Sequence, residues 1–430
     1  MTKVAVLEIS DLALTLFRDN QPVHSEPCFA TYDGQWQFGQ TAQYQQRKKP
    51  PESESRYFAR LNTDPLTQPL GGVRHYADLV FLQLKALHAQ FEKEYTHLYL
   101  IPPAHYSREQ RSLLLGISET AALPIAGFIE PGLLPASADE HSPGDHILLD
   151  IGHSSVTAQP FSQDAGGASV STGQALVISD RGLSQMVEGL MAQAAEALIK
   201  QERFDPLRKA ETEQQLFDGA LAYFAGDLAI SSPMTIRHDD GEHRLPVTET
   251  MIRAATGRTI THILGHLAED SVPTILTHRL GKIPGLADQL RLSSRQEVIF
   301  RTFPALGAQF LTVADQFETS ESGQQFTQLR RINSENQPKA VLTREKATHL
   351  LDGYHALAIG EKTSHRLSNH GFTFVKEGAD LSIQPANGLL LNDTPIESPQ
   401  VIYAGDRITL GSDSLLALSL IHISEPTRPY

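Results

Sequence analysis

The sequence predicts an α/β protein that is followed by a small all-β part, and three observations lead to this fold class. Residues 147–149 form an apolar run that ends in Asp150, which is typical of a strand buried on both faces in a parallel sheet. Between about residue 77 and Asp150, predicted helices and strands alternate, and this order favours parallel pairing. From about residue 357 onward, short apolar segments separated by turn residues indicate a small β-sandwich.

Composition limits the classes of function. With 430 residues and 40% hydrophobic content, the chain can bury large cores and fits roughly two to four domains. Its 36 Lys+Arg against 50 Asp+Glu give a net charge of -14, which argues against nonspecific binding to nucleic acid or to anionic membranes. Because we find neither a leader pattern nor an apolar run of about 18 residues, we expect a soluble cytoplasmic protein without a membrane span. The single Cys28 excludes an intrachain disulfide and is interpreted as a small buried residue.

Periodicity and turn residues predict the elements of the first part. Asp19 and Asn20 provide the turn of an N-terminal hairpin, and apolar residues at steps of three or four predict the helix at 77–93. Ser107 is the expected cap of the next helix, which runs to about residue 121. The predicted strands are 4–9, 12–17, 35–38, 98–101, 125–129, 147–149 and 274–277, and the later helices are 183–200, 205–224 and 248–267.

Several polar stretches are interpreted as connections. Residues 46–55 are polar and contain proline, which predicts a loop, and residues 319–345 predict a linker because large apolar residues are scarce there. Histidines and aspartates at 238–243 could suggest a metal site, but the glycine between them favours a solvated hairpin turn.

The turn after residues 147–149 has the chemistry of a candidate site. Asp150 is expected where the strand meets solvent, and Gly152 allows a tight turn whose amides, with the Ser154 and Ser155 hydroxyls, could face a phosphate. A carboxylate beside such a loop could hold a magnesium ion or order an attacking water. The alternative is a core strand that ends in a polar turn, since one glycine is a weaker signal than a glycine-rich signature.

Several short motifs, in a shared order over residues 1–318, carry a resemblance. The motifs are EISDL at 8–12, FGQTA at 38–42, IPPAHYSREQR at 101–111, the segment at 121–133 that contains Glu130, DIGHSSVT at 150–157, a glycine at 182, ILTHRLGKIP at 275–284 and ALGA at 305–308. This order resembles the ATPase domain of the seventy-kilodalton heat-shock chaperones (DnaK type), in the actin and hexokinase superfamily. The resemblance implies a two-lobed, actin-like ATPase fold with ribonuclease H-like lobes, and ATP or ADP with Mg²⁺ in an interlobe cleft.

The resemblance also assigns roles to individual residues. It implies catalytic roles for Glu130, Asp150 and Arg60, metal ligation by Glu8 and Asp150, and nucleotide contacts by Glu8, Ser10, Asp11, Gly152, His153, Ser154, Ser155, Gly182, His278 and Arg279.

The chain departs from the family pattern at positions that matter for the nucleotide. Asp11 stands in the family's glycine–threonine loop, where an inward carboxylate would repel phosphate. Arg60 is the only nearby cation in place of the catalytic lysine. His278 and Arg279 replace paired glycines, so their side chains would enter space that the family leaves empty.

The C-terminal part carries a second resemblance. Residues 387–396, NGLLLNDTPI, and 404–411, AGDRITLG, are similar to the last third of a forkhead-associated (FHA) domain. The phosphate-binding arginine of that family is missing at 360–362, and SHR at 364–366 keeps only part of a second element, so phosphopeptide binding is not expected. We predict an FHA-like sandwich over 346–418. Residues 419–430 resemble a translated sequencing adapter, and we expect an artefact that replaces the natural C-terminus.

Three functions stay open. The leading hypothesis is a degenerate chaperone-like protein, comparable to PilM-type scaffolds, that binds ATP or ADP with little or no hydrolysis and responds to it by presenting a surface to a protein partner. The second is an active ATP-dependent chaperone ATPase. The third is a nucleotide-free adaptor, and a further alternative is that Asp150 and Glu130 only cap strands and loops. The partner itself is not identified.

Overall fold

The computed structural model describes most of the chain in two compact units, Met1–Val341 and Leu342–Tyr430. The described residues are 3–418 without 67, 137–143, 164–169, 229–231, 239–240, 268–271, 294–299, 303, 314–346, 348, 353–354, 359–361, 368–369, 378–379, 393, 397, 404–405 and 411–412. The predicted linker at 319–345 and the predicted artefact at 419–430 lie outside this set, so both stay predictions.

The first unit mixes strands and helices, which confirms the α/β class. Its strands are β1 (Val4–Ile9), β2 (Ala13–Arg18), β3 (Gln21–Pro27), β4 (Ala30–Tyr32), β5 (Trp36–Phe38), β6 (Ser53–Glu54), β7 (His97–Ile101), β8 (Ile125–Phe128), β9 (Gly144–Ile151), β10 (Ser155–Gln163), β11 (Val170–Thr172), β12 (Leu176–Ser179), β13 (Pro233–His238), β14 (Gly241–Pro246), β15 (Thr274–Leu276) and β16 (Phe300–Thr302).

The helices of the first unit fill the intervals between these strands. They are α1 (Gly39–Gln43), α2 (Tyr76–Phe91), α3 (Arg108–Thr120), α4 (Leu133–Ala136), α5 (Leu183–Glu202), α6 (Ala210–Ala225), α7 (Glu249–His266), α8 (His278–Gly281), α9 (Leu286–Ser293) and α10 (Leu306–Val313). Within the described ranges, none of them combines the length and the apolar character that a membrane-crossing helix needs.

Two sheets of the first unit share one topology. The first sheet has the order β3-β2-β1-β7-β8, and the second has the order β11-β10-β9-β15-β16, with β12 also paired to β10. In each sheet the central strand, β1 or β9, pairs antiparallel with the next strand and parallel with a later one. Glu8 and Asp150 are therefore equivalent, because each is the penultimate residue of a central strand.

Strand β9 shows how the apolar run determines the centre of the second sheet. Ile147 and Leu149 are buried, and β9 pairs with β15 in parallel, as predicted, but with β10 in antiparallel register. The strand continues to Ile151, and the Asp150 side chain, which is 21% exposed, forms an ion pair with Arg279.

Local signals set the helix ends. Helix α3 begins as predicted, since the Ser107 hydroxyl accepts from the Gln110 N–H at 3.2 Å and the Gln110 side chain accepts from the Ser107 N–H at 3.1 Å. The predicted helix at 205–224 is split, because Lys209 has extended backbone angles and separates a short 3-10 turn at Pro206–Arg208 from α6. Gly226, with φ +78°, ends α6 in the left-handed conformation that favours glycine.

Side chains from both sheets and from α10 form one buried cluster. Phe17 of the first sheet, Leu148 and Phe161 of the second, and Phe310 of α10 belong to it. Gly307 at the start of α10 faces the Phe17 ring so closely that a methyl group at this position would overlap the ring. The close approach brings the backbone of α10 to the end of β1, where Glu8 lies.

The second unit consists of strands in two antiparallel sheets, within its described part. The strands are β17 (His349–Asp352), β18 (His355–Ala358), β19 (Lys362–Leu367), β20 (His370–Glu377), β21 (Asp380–Ile383), β22 (Leu389–Leu391), β23 (Thr394–Pro395), β24 (Gln400–Val401), β25 (Arg407–Leu410) and β26 (Asp413–Leu418). One sheet has the order β18-β17-β26-β25-β22-β23 and the other β19-β20-β21-β24. Phe374 and Ile383 of one sheet share a core with Leu389 and Ile408 of the other.

Candidate functional site

The two equivalent carboxylates of the first unit meet at one arginine. Arg279 lies in α8, immediately after β15. Its Nε donates to Asp150 Oδ1 at 3.0 Å, its Nη2 donates to Asp150 Oδ2 at 2.6 Å, and its Nη1 donates to Glu8 Oε1. The Glu8 side chain is 1% exposed and the Arg279 side chain 14%, so this ion cluster is largely shielded from water. The residues Glu8, Asp150 and Arg279 are called the ion cluster below.

Further donors complete the coordination of both carboxylates. The Thr277 hydroxyl donates to Asp150 Oδ1 at 2.6 Å, and the backbone N–H of Gly307 donates to Glu8 Oε2 at 3.0 Å. All four carboxylate oxygens therefore accept a hydrogen bond from the protein itself. His278 Nδ1 lies 3.8 Å from Glu8 Oε1.

Charge and burial act against each other on the pKa values of the cluster. Burial alone would raise the pKa of Asp150, but the Arg279 charge and the hydrogen bonds from Arg279 and Thr277 outweigh it and lower that pKa. Burial would lower the pKa of Arg279, but the two carboxylates outweigh it and raise that pKa. Burial lowers the pKa of His278, with Glu8 opposing. Near neutral pH the cluster contains a fixed cation and ionised Asp150.

The Asp11 carboxylate lies against the turn at residues 152–153, which was predicted to face a phosphate. It lies in the turn between β1 and β2, and its Oδ2 accepts the backbone N–H of His153 at 2.9 Å. A Cβ at Gly152 would lie 2.5 Å from Asp11 Oδ1, so the carboxylate lies directly against this glycine. Burial raises the pKa of Asp11 to about 6, although the His153 amide lowers it. The position expected for an oxyanion thus holds a carboxylate of the protein.

The other residues of the predicted loops form tight turns. The Ser10 hydroxyl accepts the backbone N–H groups of Leu12 at 3.2 Å and Ala13 at 3.0 Å, so it is used within its own turn. The Ser154 and Ser155 carbonyls accept the Arg181 and Gly152 N–H groups. Gly182 packs so closely against the backbone of His153 and Ser155 that no side chain would fit there.

Two of the predicted catalytic residues contact other partners. Glu130 accepts from Arg111 Nη1 and, at 3.4 Å, from Gln159 Nε2. Arg60 has an exposed side chain, and its backbone N–H donates to the Arg56 carbonyl. The structure therefore brings Glu8, Asp150, His278 and Arg279 together, with Asp11 opposite the turn at 152–153, and places Glu130 and Arg60 in other contacts. The catalytic roles assigned to Glu130, Asp150 and Arg60 stay predictions.

Three residues of the site were not predicted as site residues. Thr277 is the N-cap of α8, and its position before His278 and Arg279 is the only local signal for it. Gly307 contributes through its backbone N–H, which donates to Glu8 Oε2. His105 lies near Asp11 and Asp150, and burial lowers its pKa while these two carboxylates oppose the shift. Its buried Nδ1 has no partner in the described part of the chain.

The arrangement has little capacity for an additional ion. Among the described residues, no group of His, Cys, Asp and Glu side chains is placed to hold a metal. The carboxylates that the resemblance assigns to a metal are neutralised by Arg279 instead. Comparison with the models of known protein families gave no match for this chain, and a search of curated proteins also found no similar sequence.

Proposed function

We propose that this protein is a nucleotide-independent interaction scaffold built on a two-lobed, actin-like fold with ribonuclease H-like lobes. The shared strand order of the two sheets supports the two lobes, because each sheet would form the core of one. The equivalent positions of Glu8 and Asp150 support it as well, since both carboxylates accept hydrogen bonds from the same Arg279 guanidinium. This function is the adaptor hypothesis of the sequence analysis.

The observation that carries the proposal is the bridging of Glu8 and Asp150 by Arg279. A magnesium ion is bound through carboxylate oxygens, its own waters and substrate phosphates. Here the four oxygens already accept hydrogen bonds from Arg279, Thr277 and Gly307. A dication beside this guanidinium would also meet a like charge in a poorly solvated place. The residues present do not fit a magnesium ion.

The turn at residues 152–153 does not fit the phosphate groups of a nucleotide either. Asp11 accepts the His153 amide and lies against Gly152, at the turn expected to face a phosphate. A phosphate would have to displace this carboxylate or approach it against charge repulsion. We therefore infer that Asp11 and Arg279 stand in for the anion and the cation of a bound ligand. Two of the hypotheses need a bound nucleotide: the degenerate protein that binds it without hydrolysis, and the active ATPase. Both lose support for this reason.

The ion pairs within the cluster affect how the scaffold could respond to a ligand. A ligand can shift a conformational equilibrium only through differential affinity for the two states. If the internal pairs replace the ligand, the two lobes are held in one arrangement at all nucleotide concentrations. The surface offered to a protein partner would then be constant rather than switched.

The second unit supports the adaptor function through its turn residues. We propose that it is an FHA-like β-sandwich without phosphate recognition. Asn392 Nδ2 donates to Asp406 Oδ1 at 2.8 Å, and Asn392 Oδ1 accepts the Arg407 N–H at 2.9 Å. Asp406 Oδ2 accepts the Tyr403 N–H at 2.8 Å, and Asp406 is buried. The polar residues of this motif thus brace a turn.

A thermal-shift titration of the purified protein with Mg²⁺-ATP and Mg²⁺-ADP tests the proposal. A ligand at about 100 times its Kd stabilises a protein by about 2.7 kcal/mol, which gives a clear rise in Tm. We expect no saturable rise for the wild type. A Mg²⁺-dependent rise that Asp150→Asn abolishes would overturn the proposal and restore nucleotide binding. Phosphate release from ATP, measured in the same samples, separates binding from turnover.

A further inference from the structure

A cavity of about 420 Å³ lies between the segment at residues 46–56 and helices α5 and α6. Its volume falls in the range of small-molecule sites, about 300–1,000 Å³. Of the predicted site residues only His153 lines it, so this cavity is distinct from the ion cluster. The lining combines two phenylalanine rings and three aliphatic side chains with eight polar or charged residues.

The charged side chains of the lining are already paired. Arg47 donates through Nη2 to Glu188, and its Nη1 lies 3.6 Å from Glu213. Arg56 donates from Nε to Glu54 Oε1 at 3.1 Å. Burial lowers the pKa of His153 to about 4, so its ring is neutral near pH 7. A charged ligand would have to break one of these ion pairs, whereas a neutral ligand would leave them intact.

The walls favour a flat ring. Phe29 stands edge-on to Phe217, with ring centroids 6.2 Å apart, and edge-on to His153 at 5.0 Å. The Arg47 guanidinium lies 4.7 Å from the Phe217 ring centroid, which adds a planar group to the same wall. Aromatic rings prefer such edge-to-face and offset contacts over other geometries.

Two hydroxyl groups provide polar contacts. Ser55 belongs to the segment at 46–56 and Ser184 to α5, so they approach the cavity from different parts of the chain. Neither hydroxyl forms a hydrogen bond to any described residue. Each can both donate and accept, so the pair suits a ligand group with the same capacity, such as an amide or a hydroxyl.

The edge of the cavity is held together by polar contacts. The backbone N–H of Arg47 donates to Gln214 Oε1 at 2.7 Å, and Gln214 Nε2 donates to the Gln43 carbonyl at 2.9 Å. These bonds attach the chain before Pro50 to α6. Because these hydrogen bonds hold one wall of the cavity in place, they reduce the ordering cost of binding.

We propose that this cavity binds a small neutral aromatic molecule that carries an amide or hydroxyl group. The inference goes beyond the scaffold function and does not depend on it. The ligand would place its ring against Phe29 and Phe217 and its polar group at Ser55 or Ser184.

Ligand-observed saturation-transfer NMR on the full chain tests the proposal, with benzamide as the probe. We expect a saturable benzamide signal, and at least about fivefold weaker binding of benzoate and benzylamine, because each adds an unpaired charge. Leu221→Trp fills the cavity from α6 and should abolish the signal. Ile199→Trp is the matched control, since Ile199 is 46% exposed on α5 and does not line the cavity.

A benzamide signal lost in Leu221→Trp and kept in Ile199→Trp supports the site, and a weaker signal in the double variant Ser55→Ala, Ser184→Ala supports the polar contact. Absence of a saturable signal, or a signal that survives Leu221→Trp, would overturn the proposal. If Leu221→Trp does not fold, Ser55→Phe fills the cavity from the segment at 46–56. This variant should also abolish the benzamide signal. The nucleotide titration reads a different site, so either proposal can fail alone.

Discussion

Two arginines of the first unit each bridge two carboxylates, but they differ in exposure. Arg279 is 14% exposed and bonds to Glu8, which is 1% exposed, and to Asp150. Arg47 is 25% exposed and forms ion pairs with Glu188 and Glu213, which are 54% and 29% exposed. A buried charge without its partner is costly, whereas an exposed pair contributes about 0–1 kcal/mol. The same motif can therefore fix a structure in one place and border an open cavity in another.

Replacing Arg279 should have the largest effect. Arg279→Ala leaves two carboxylates without their cation, and we expect the free energy of unfolding to fall by about 3–5 kcal/mol. Urea denaturation of the full chain measures this loss. Arg253→Ala is the control, because Arg253 forms an exposed pair with Glu249 on α7. An Arg279→Ala variant as stable as the control would show that the ion cluster is not a structural element.

Gly152→Ala tests the close approach of Asp11 to the turn between β9 and β10. The new methyl group would lie 2.5 Å from Asp11 Oδ1, so we expect a loss of about 1–3 kcal/mol from overpacking. The double variant Gly152→Ala, Asp11→Ser should recover most of it. Gly257→Ala on α7 has open space around it and should stabilise the helix slightly. Equal losses in the single and double variants would contradict the assigned contact.

The pH dependence of stability tests the buried Asp11 carboxyl. Its pKa is raised from 3.8 to about 6, so the folded state holds the proton more tightly than the unfolded state. The stabilisation from this group is fully present below about pH 4 and is lost as pH rises through about 6.

Asp11→Asn keeps an acceptor for the His153 N–H and removes the charge. We expect it to be more stable than the wild type by about 1–3 kcal/mol at pH 8 and by little at pH 4. Asp19→Asn is the control, since Asp19 is 85% exposed. Urea midpoints across this pH range measure the difference, and parallel curves for Asp11→Asn and wild type would refute a buried, charged Asp11.

Arg47→Ala should have the smallest effect. Its ion pairs are partly exposed, so we expect a loss within about 1 kcal/mol that shrinks further at high salt. Denaturation at low and high ionic strength measures this. A loss as large as that of Arg279→Ala would remove the distinction between the two arginines.

The sequence predicted those local structures that are determined by residues close together in the chain. The Ser107 cap, the hairpin of β1 and β2, and the buried run of β9 follow from residues a few positions apart. The resemblance also marked Asp11, His278 and Arg279 as departures that fill space. It also assigned Glu8, Asp150 and Arg279 to one site, although Arg279 lies 129 positions from Asp150 and 271 from Glu8. It did not predict their direct ion pairing, because it assigned these residues to a metal and a nucleotide. The Asp205–Lys209 break was missed because Lys209 is extended within an otherwise helical pattern.

The repeated strand order has one more consequence, which concerns the two segments that follow the parallel partner strands. After β15 that segment supplies Arg279, and after β7 the corresponding segment supplies His105. His105 interacts electrostatically with Asp11 and Asp150, and its lowered pKa keeps it uncharged at neutral pH. The segment after β15 thus contributes a permanent cation, Arg279, while the segment after β7 contributes a cation, His105, only at acidic pH. The two segments that follow the parallel partner strands therefore differ in charge near neutral pH.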